Sequence, residues 1–84
     1  MDVLHDKENN RFVYSVDNIE AQLKYHDLGN NTLEYYSTFV PNELRGQGIA
    51  GKLVKFAADY AKENGIKVVP TCSFVVKFYE RNPE

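Results

Sequence analysis

Two stretches of the chain carry residue types able to do chemistry. The first is Arg45-Gly46-Gln47-Gly48-Ile49-Ala50-Gly51-Lys52, with three glycines in six positions between two cations. Glycine lets the backbone approach a ligand closely, and where such a loop opens a helix the first N–H groups have no intrahelical partner. A loop of that kind favours phosphate. Glycines used only for tight turning are the plainer alternative, but a position between a strand and an amphipathic helix favours the phosphate site. The second stretch centres on Cys72, the single cysteine. A thiol at a helix start has its pKa lowered, because the helix dipole favours thiolate. It could relay protons, accept an acyl group covalently or form a mixed disulfide. Cysteine is also commonly a small buried hydrophobe, so position favours chemistry here and frequency favours packing.

The glycine loop matches more than one phosphate-binding pattern. Gly46-x-Gly48-x-x-Gly51 satisfies the dinucleotide fingerprint, which also requires an acidic residue about 20 positions on and several βα units. Ile66–Thr71 contains no acid, five residues (Pro41–Arg45) separate the preceding strand from the loop, and 84 residues cannot build that sheet. Gly46-x-x-x-x-Gly51-Lys52 nearly matches a P-loop, but Leu53 stands where Ser or Thr must hold Mg²⁺. Both patterns are therefore excluded.

The elements that must position these residues follow from hydrophobic period and turn chemistry. Asp2–Asp6 is a short edge candidate, Glu8-Asn9-Asn10 a turn, and Arg11–Val16 a strand with Phe12, Tyr14 and Val16 on one face. Asp17-Asn18 turns the chain into Ala21–Leu28, and Gly29-Asn30-Asn31 turns it again. Thr32–Val40, β-branched and aromatic almost throughout, reads as a central, well-buried strand stopped by Pro41. Ile49, Leu53, Phe56, Ala57, Tyr60 and Ala61 form a helical stripe, with Gly65 placed as the C-terminal cap. Ile66–Cys72 is a strand in which Pro70 marks an edge or the end of pairing. In Ser73–Arg81, Phe74, Val75, Phe78 and Tyr79 share a helical face, Ser73 can cap, and Asn82-Pro83 can stop a short helix. The order β-β-β-β-α-β-α describes a single α+β domain over residues 1–84.

Composition narrows the partners. Eighty-four residues suffice for one domain, and a 43% hydrophobic content suits a folded rather than a disordered chain. No apolar run approaches the roughly 20 residues of a membrane span, and Met1–Lys7 does not read as a secretory signal. A lone cysteine excludes an internal disulfide and a cysteine-based zinc site, so a reducing cytoplasm is the expected home and no metal is expected. A net charge of −2 argues against nucleic acid. Residues 1–42 carry seven acids and three bases, residues 43–84 seven bases and five acids. Two ordinary solvated surfaces account for that asymmetry. His5 and His26 are expected at the surface.

Arg45-Gly46-Gln47-Gly48-Ile49-Ala50 resembles the Arg/Gln-x-x-Gly-x-Gly/Ala signature with which GNAT N-acetyltransferases bind the pyrophosphate of acetyl-CoA. The longer run from Val40-Pro41 to Lys52-Leu53, with Val68-Val69-Pro70-Thr71-Cys72 downstream, resembles the small single-domain members of that superfamily. The resemblance implies a minimal GNAT-type domain in which the strand after the helix splays away from the strand before the loop. The pantetheine arm would lie in that opening like an added strand, on the backbone of Thr38, Phe39 and Val40. Arg45, Gly46, Gln47, Gly48, Ile49, Ala50 and Gly51 would hold the diphosphate, and Lys52 or Lys55 the 3′-phosphate. It further implies a monomer that moves an acetyl group from acetyl-CoA to the amine of an unidentified small molecule or protein. A CoA-binding module with little or no turnover is the alternative, and an interaction domain without CoA affinity a third. Such proteins commonly carry His-Thr where this chain has Ser37-Thr38, and Tyr where it has Phe78, which leaves Cys72 and Tyr79 as the catalytic candidates.

Overall fold

The computed structural model describes residues 3–82. Two pairs of left-handed residues fold the first half of the chain: Asp17 and Asn18 at φ 50° and 65°, Asn30 and Asn31 at φ 53° and 55°. Short polar side chains tolerate this conformation, and two such residues in succession make the hairpin turn that suits the strand twist. The first pair joins β2 (Arg11–Val16) to β3 (Ile19–Gly29), and the second joins β3 to β4 (Thr32–Phe39). β1 (Leu4–Asp6) adds to β2, and β5 (Lys67–Pro70) lies beside β4, giving one sheet in the order β1-β2-β3-β4-β5. All neighbours are antiparallel except β4 and β5, whose parallel pairing requires a crossover. That crossover is α1 (Ile49–Glu63), and α2 (Ser73–Arg81) follows β5. Asp2, part of the expected edge strand, lies outside the described residues.

One face of the sheet supplies Phe12, Ala21, Leu23, Tyr25, Leu33 and Tyr35, which pack with Leu53, Val54 and Ala57 of α1 and Val75 of α2. Burying each large side chain stabilises the fold by about 1.5–3 kcal/mol. Val54 and Ala58 join the expected α1 stripe because α2 packs along that flank, whereas Phe56 remains 39% exposed. The Tyr35 hydroxyl donates to the Ala57 carbonyl at 2.8 Å, tying β4 to the middle of α1. α1 ends in a Schellman motif: Ile66 N–H donates to Ala61 O at 2.8 Å and Gly65 N–H to Lys62 O at 3.4 Å, with Gly65 at φ +63°.

Two expectations are corrected. β3, not β4, occupies the middle of the sheet, and β4 is buried only at Leu33 and Tyr35; Phe39 is 52% exposed. The β-branched run signalled strand propensity, but both helices cover the same face and leave the other face of β4 open. His5 is half-buried rather than fully at the surface. Its register partner is the fully buried Phe12, so the imidazole stacks on that ring at 4.3 Å, with Nε2 2.8 Å from the Tyr25 hydroxyl.

Candidate active site

The site begins where the sheet stops pairing. β4 and β5 are paired from Thr32–Lys67 to Tyr35–Pro70 and no further. Pro70 has no N–H to continue the ladder, and the Thr71 and Cys72 amides both donate to the Tyr35 carbonyl at 3.2 Å as the chain leaves for α2. β4 turns as well. Ser37 opposes Lys24 while Tyr35 opposes Tyr25, so Tyr36 is an extra residue, a bulge that increases local twist. From Tyr36 onward β4 therefore pairs with β3 on one side and leaves its other edge open. Pro70 thus lies where its sequence position predicted, at an edge where pairing ends.

The glycine loop closes one end of this opening. Asn42–Leu44 forms a 3-10 turn in which Leu44 is buried and its N–H donates to Pro41 O at 2.9 Å. The Arg45 guanidinium donates back to Val40 O at 3.0 Å and the Gln47 amide to Glu43 O at 3.4 Å. Residues 45–48 are exposed. Gly46 and Gly48 have φ +81° and +73°, a conformation that L side chains adopt only under strain. Gly48 is the N-cap of α1, no side chain caps that helix, and no acid lies in its first turn. The first backbone bond of the helix is from Lys52 N–H to Gly48 O at 3.2 Å, so the N–H groups before it remain available to a ligand. They border a groove of about 440 Å³ walled by Thr38, Phe39, Val40, Leu44, Ile49 and Phe74. A Cβ on Gly46, Gly48 or Gly51 would meet no protein atom within 4 Å, so these three positions border open space.

Cys72 occupies the N-cap position of α2, half-buried, with its Sγ–H donating to Thr38 Oγ1 at 3.4 Å. Burial pushes the thiol up, but hydrogen bonds with Thr38 and with the Phe74 and Val75 amides outweigh it and hold the thiol below its ordinary range. Thr38 lines the groove, so the thiol is one hydrogen bond from it. Tyr79 packs against the core and lines a second groove between α1 and α2 with Ala58 and Lys62. Lys52 and Gln47 are exposed beside the loop, and the Lys55 ammonium pairs with Asp59 at 2.9 Å. Phe74 departs from the helical face assigned to it; Val75 takes the buried position, and Phe74, 51% exposed, walls the groove.

One polar network had no sequence signal. On the uncovered face of β4, Glu34 accepts from the Thr71 hydroxyl at 2.9 Å and lies 3.1 Å from His26 Nδ1. The His26 ring stacks on Tyr36 at 3.9 Å. Hydrogen bonds with His26 and Thr71 hold the Glu34 carboxyl below its ordinary range. His26 is exposed as expected, but Thr71, the other partner of Glu34, is 37 residues from Glu34 in the chain and meets it only through the β4–β5 pairing.

Comparison with known proteins gives a consistent picture. Residues 11–84 match the profile of the GCN5-related N-acetyl-transferase family. Protein NATD1 of Xenopus tropicalis is 34% identical over 83 residues, which span 96% of this chain and 76% of that protein. Protein NATD1 of Homo sapiens is 32% identical, over 96% of this chain and 74% of that protein. The solution NMR structure of a GCN5-like protein from Staphylococcus aureus superposes with a TM-score of 0.72 at 32% identity, covering 95% of this chain and 78% of the other.

Proposed function

Since the chain belongs to the GCN5-related N-acetyltransferase family and is an N-acetyltransferase domain, we propose that it moves an acetyl group from acetyl-CoA to the amine of a small molecule or protein. The observation that carries this reading is the uncapped, acid-free start of α1 opening onto the groove beside the unpaired edge of β4. The residues present fit the coenzyme. The amides from Arg45 to Gly51 would hold the diphosphate, because N–H groups at a helix start favour an anion and the glycines keep side chains out of its way. The open edge at Thr38, Phe39 and Val40 would pair with the amides of the pantetheine arm, as a sheet edge accepts an added strand. When bound, acetyl-CoA supplies an activated thioester carbonyl.

The chain's own residues then position and exchange protons. Thr38 joins the groove to the Cys72 thiol, and in the thiolate state the Thr38 hydroxyl turns to donate to sulfur. A thiol held below its ordinary range and hydrogen-bonded to the groove through Thr38 is placed to exchange a proton with the attacking amine. The acceptor must arrive neutral to attack. A reducing compartment suits such a thiol.

A second reading has one observation in its favour. Of the two catalytic candidates, Cys72 is hydrogen-bonded to the groove through Thr38, whereas Tyr79 lines the groove between α1 and α2. A module that holds CoA with little turnover would need no more than that. Incubation with acetyl-CoA and a panel of amines, reading released thiol, separates the two. Turnover by the wild type that is lost in Cys72→Ala supports the transferase, whereas binding without turnover by either protein supports the module.

A further inference from the structure

The groove does not end at the glycine loop. Ala50, Gly51 and Phe74 line both it and a narrower crevice of about 340 Å³ that runs on between α1 and α2 past Lys77 and Arg81. Gly51 lies inside the first turn of α1 without the positive φ of Gly46 and Gly48. Its backbone does not require glycine, and a helical glycine is less stable there than alanine. What its missing side chain provides is room: a Cβ would project where no protein atom lies within 4 Å, at the junction of groove and crevice. Lys77 and Arg81, four residues apart, stand side by side on α2 with Cβ atoms ~6 Å apart. Both are exposed, neither is in an ion pair among the described residues, and no carboxylate lines the crevice.

We propose that this crevice takes the nucleotide end of the coenzyme, with its 3′-phosphate on Lys77 and Arg81 and its base against the half-exposed Phe74 ring. The proposal rests on the coenzyme reading above and moves the 3′-phosphate from α1 to α2. A diphosphate on the amides at the start of α1 puts the ribose beside Gly51, and the ribose carries a second phosphate of about −2 charge at neutral pH. Of the α1 lysines assigned to that phosphate from the sequence, Lys55 is paired with Asp59. The two α2 cations face the crevice free of such pairing. Phosphate held by two adjacent cations makes charge-assisted hydrogen bonds, the stronger kind.

Calorimetric titration of the full chain with CoA and with dephospho-CoA, which lacks only the 3′-phosphate, tests this. The wild type should bind CoA at least about tenfold more tightly than dephospho-CoA. A Lys77→Ala/Arg81→Ala double variant should lose that preference while keeping its affinity for dephospho-CoA, and Lys52→Ala should retain it. A wild type without preference, or a double variant that keeps it, overturns the assignment while leaving the coenzyme site intact. A wild type that binds neither ligand overturns the coenzyme reading, and this assignment with it. Both side chains are exposed on α2, so circular dichroism of the double variant should match the wild type.

Discussion

Replacing Gly48 by valine separates the two roles that glycine plays in this chain. At φ +73° a side chain costs about 1–2 kcal/mol of strain, and no protein atom within 4 Å adds a clash. In a domain of this size each kcal/mol lowers Tm by roughly 4–8 °C, so Gly48→Val should melt about 4–16 °C below wild type and remain folded at 20 °C. Its effect on binding should be larger, because the valine stands over the N–H groups at the start of α1. Loss of two charge-assisted hydrogen bonds at about 1.5–3 kcal/mol each weakens CoA by at least about a hundredfold. Gly65→Val is the control. Gly65 has φ +63° and equally open surroundings, so the strain is similar, but it caps the far end of α1. Thermal melting paired with calorimetric titration should show similar losses of Tm in both variants and loss of CoA affinity in Gly48→Val alone. Unchanged affinity in Gly48→Val, or equal loss in Gly65→Val, refutes the assignment of the diphosphate to this loop.

Two further outcomes follow from the titrating groups. The Thr38→Val variant removes the hydroxyl that helps hold the Cys72 thiol below its ordinary range, so the pH midpoint of alkylation by iodoacetamide should rise relative to wild type. A midpoint that stays put would show that the α2 amides alone set it. His5 is held below the ordinary imidazole range by burial and by the charge of Lys7, against a weaker opposite pull from Asp6. Between the folded pKa and the unfolded value of about 6.5 the unfolded chain binds the extra proton. Stability should therefore be full above pH 7 and fall as the pH drops through 6.5 toward the folded pKa. Urea melts at pH 7.5 and 5.5 should show the loss in wild type and much less of it in His5→Phe, which keeps an aromatic ring against Phe12.

Much of this molecule was legible residue by residue. The Asp17-Asn18 and Asn30-Asn31 turns, the α1 stripe, the Gly65 cap and the end of pairing at Pro70 are local matters, decided by φ preferences, helical period and a missing N–H. So was the loop, since glycines between a strand and a helix start leave backbone donors in the open. Contact across the chain was not legible, because period shows which residues share a face and says nothing of what covers it. His5 came to stack on a core ring through its register with Phe12, and the Thr71–Glu34–His26 network formed through the pairing of β4 with β5. On α2 the pattern offered Phe74 and Val75 equally; packing on α1 and the sheet put Val75 inside and left Phe74 on the groove wall. The same docking made Tyr79 part of a groove lined by Ala58 and Lys62. Local sequence determined the strands, the helices and the anion-ready loop; only the way the two helices dock on one side of the sheet decided which side chains stand around it.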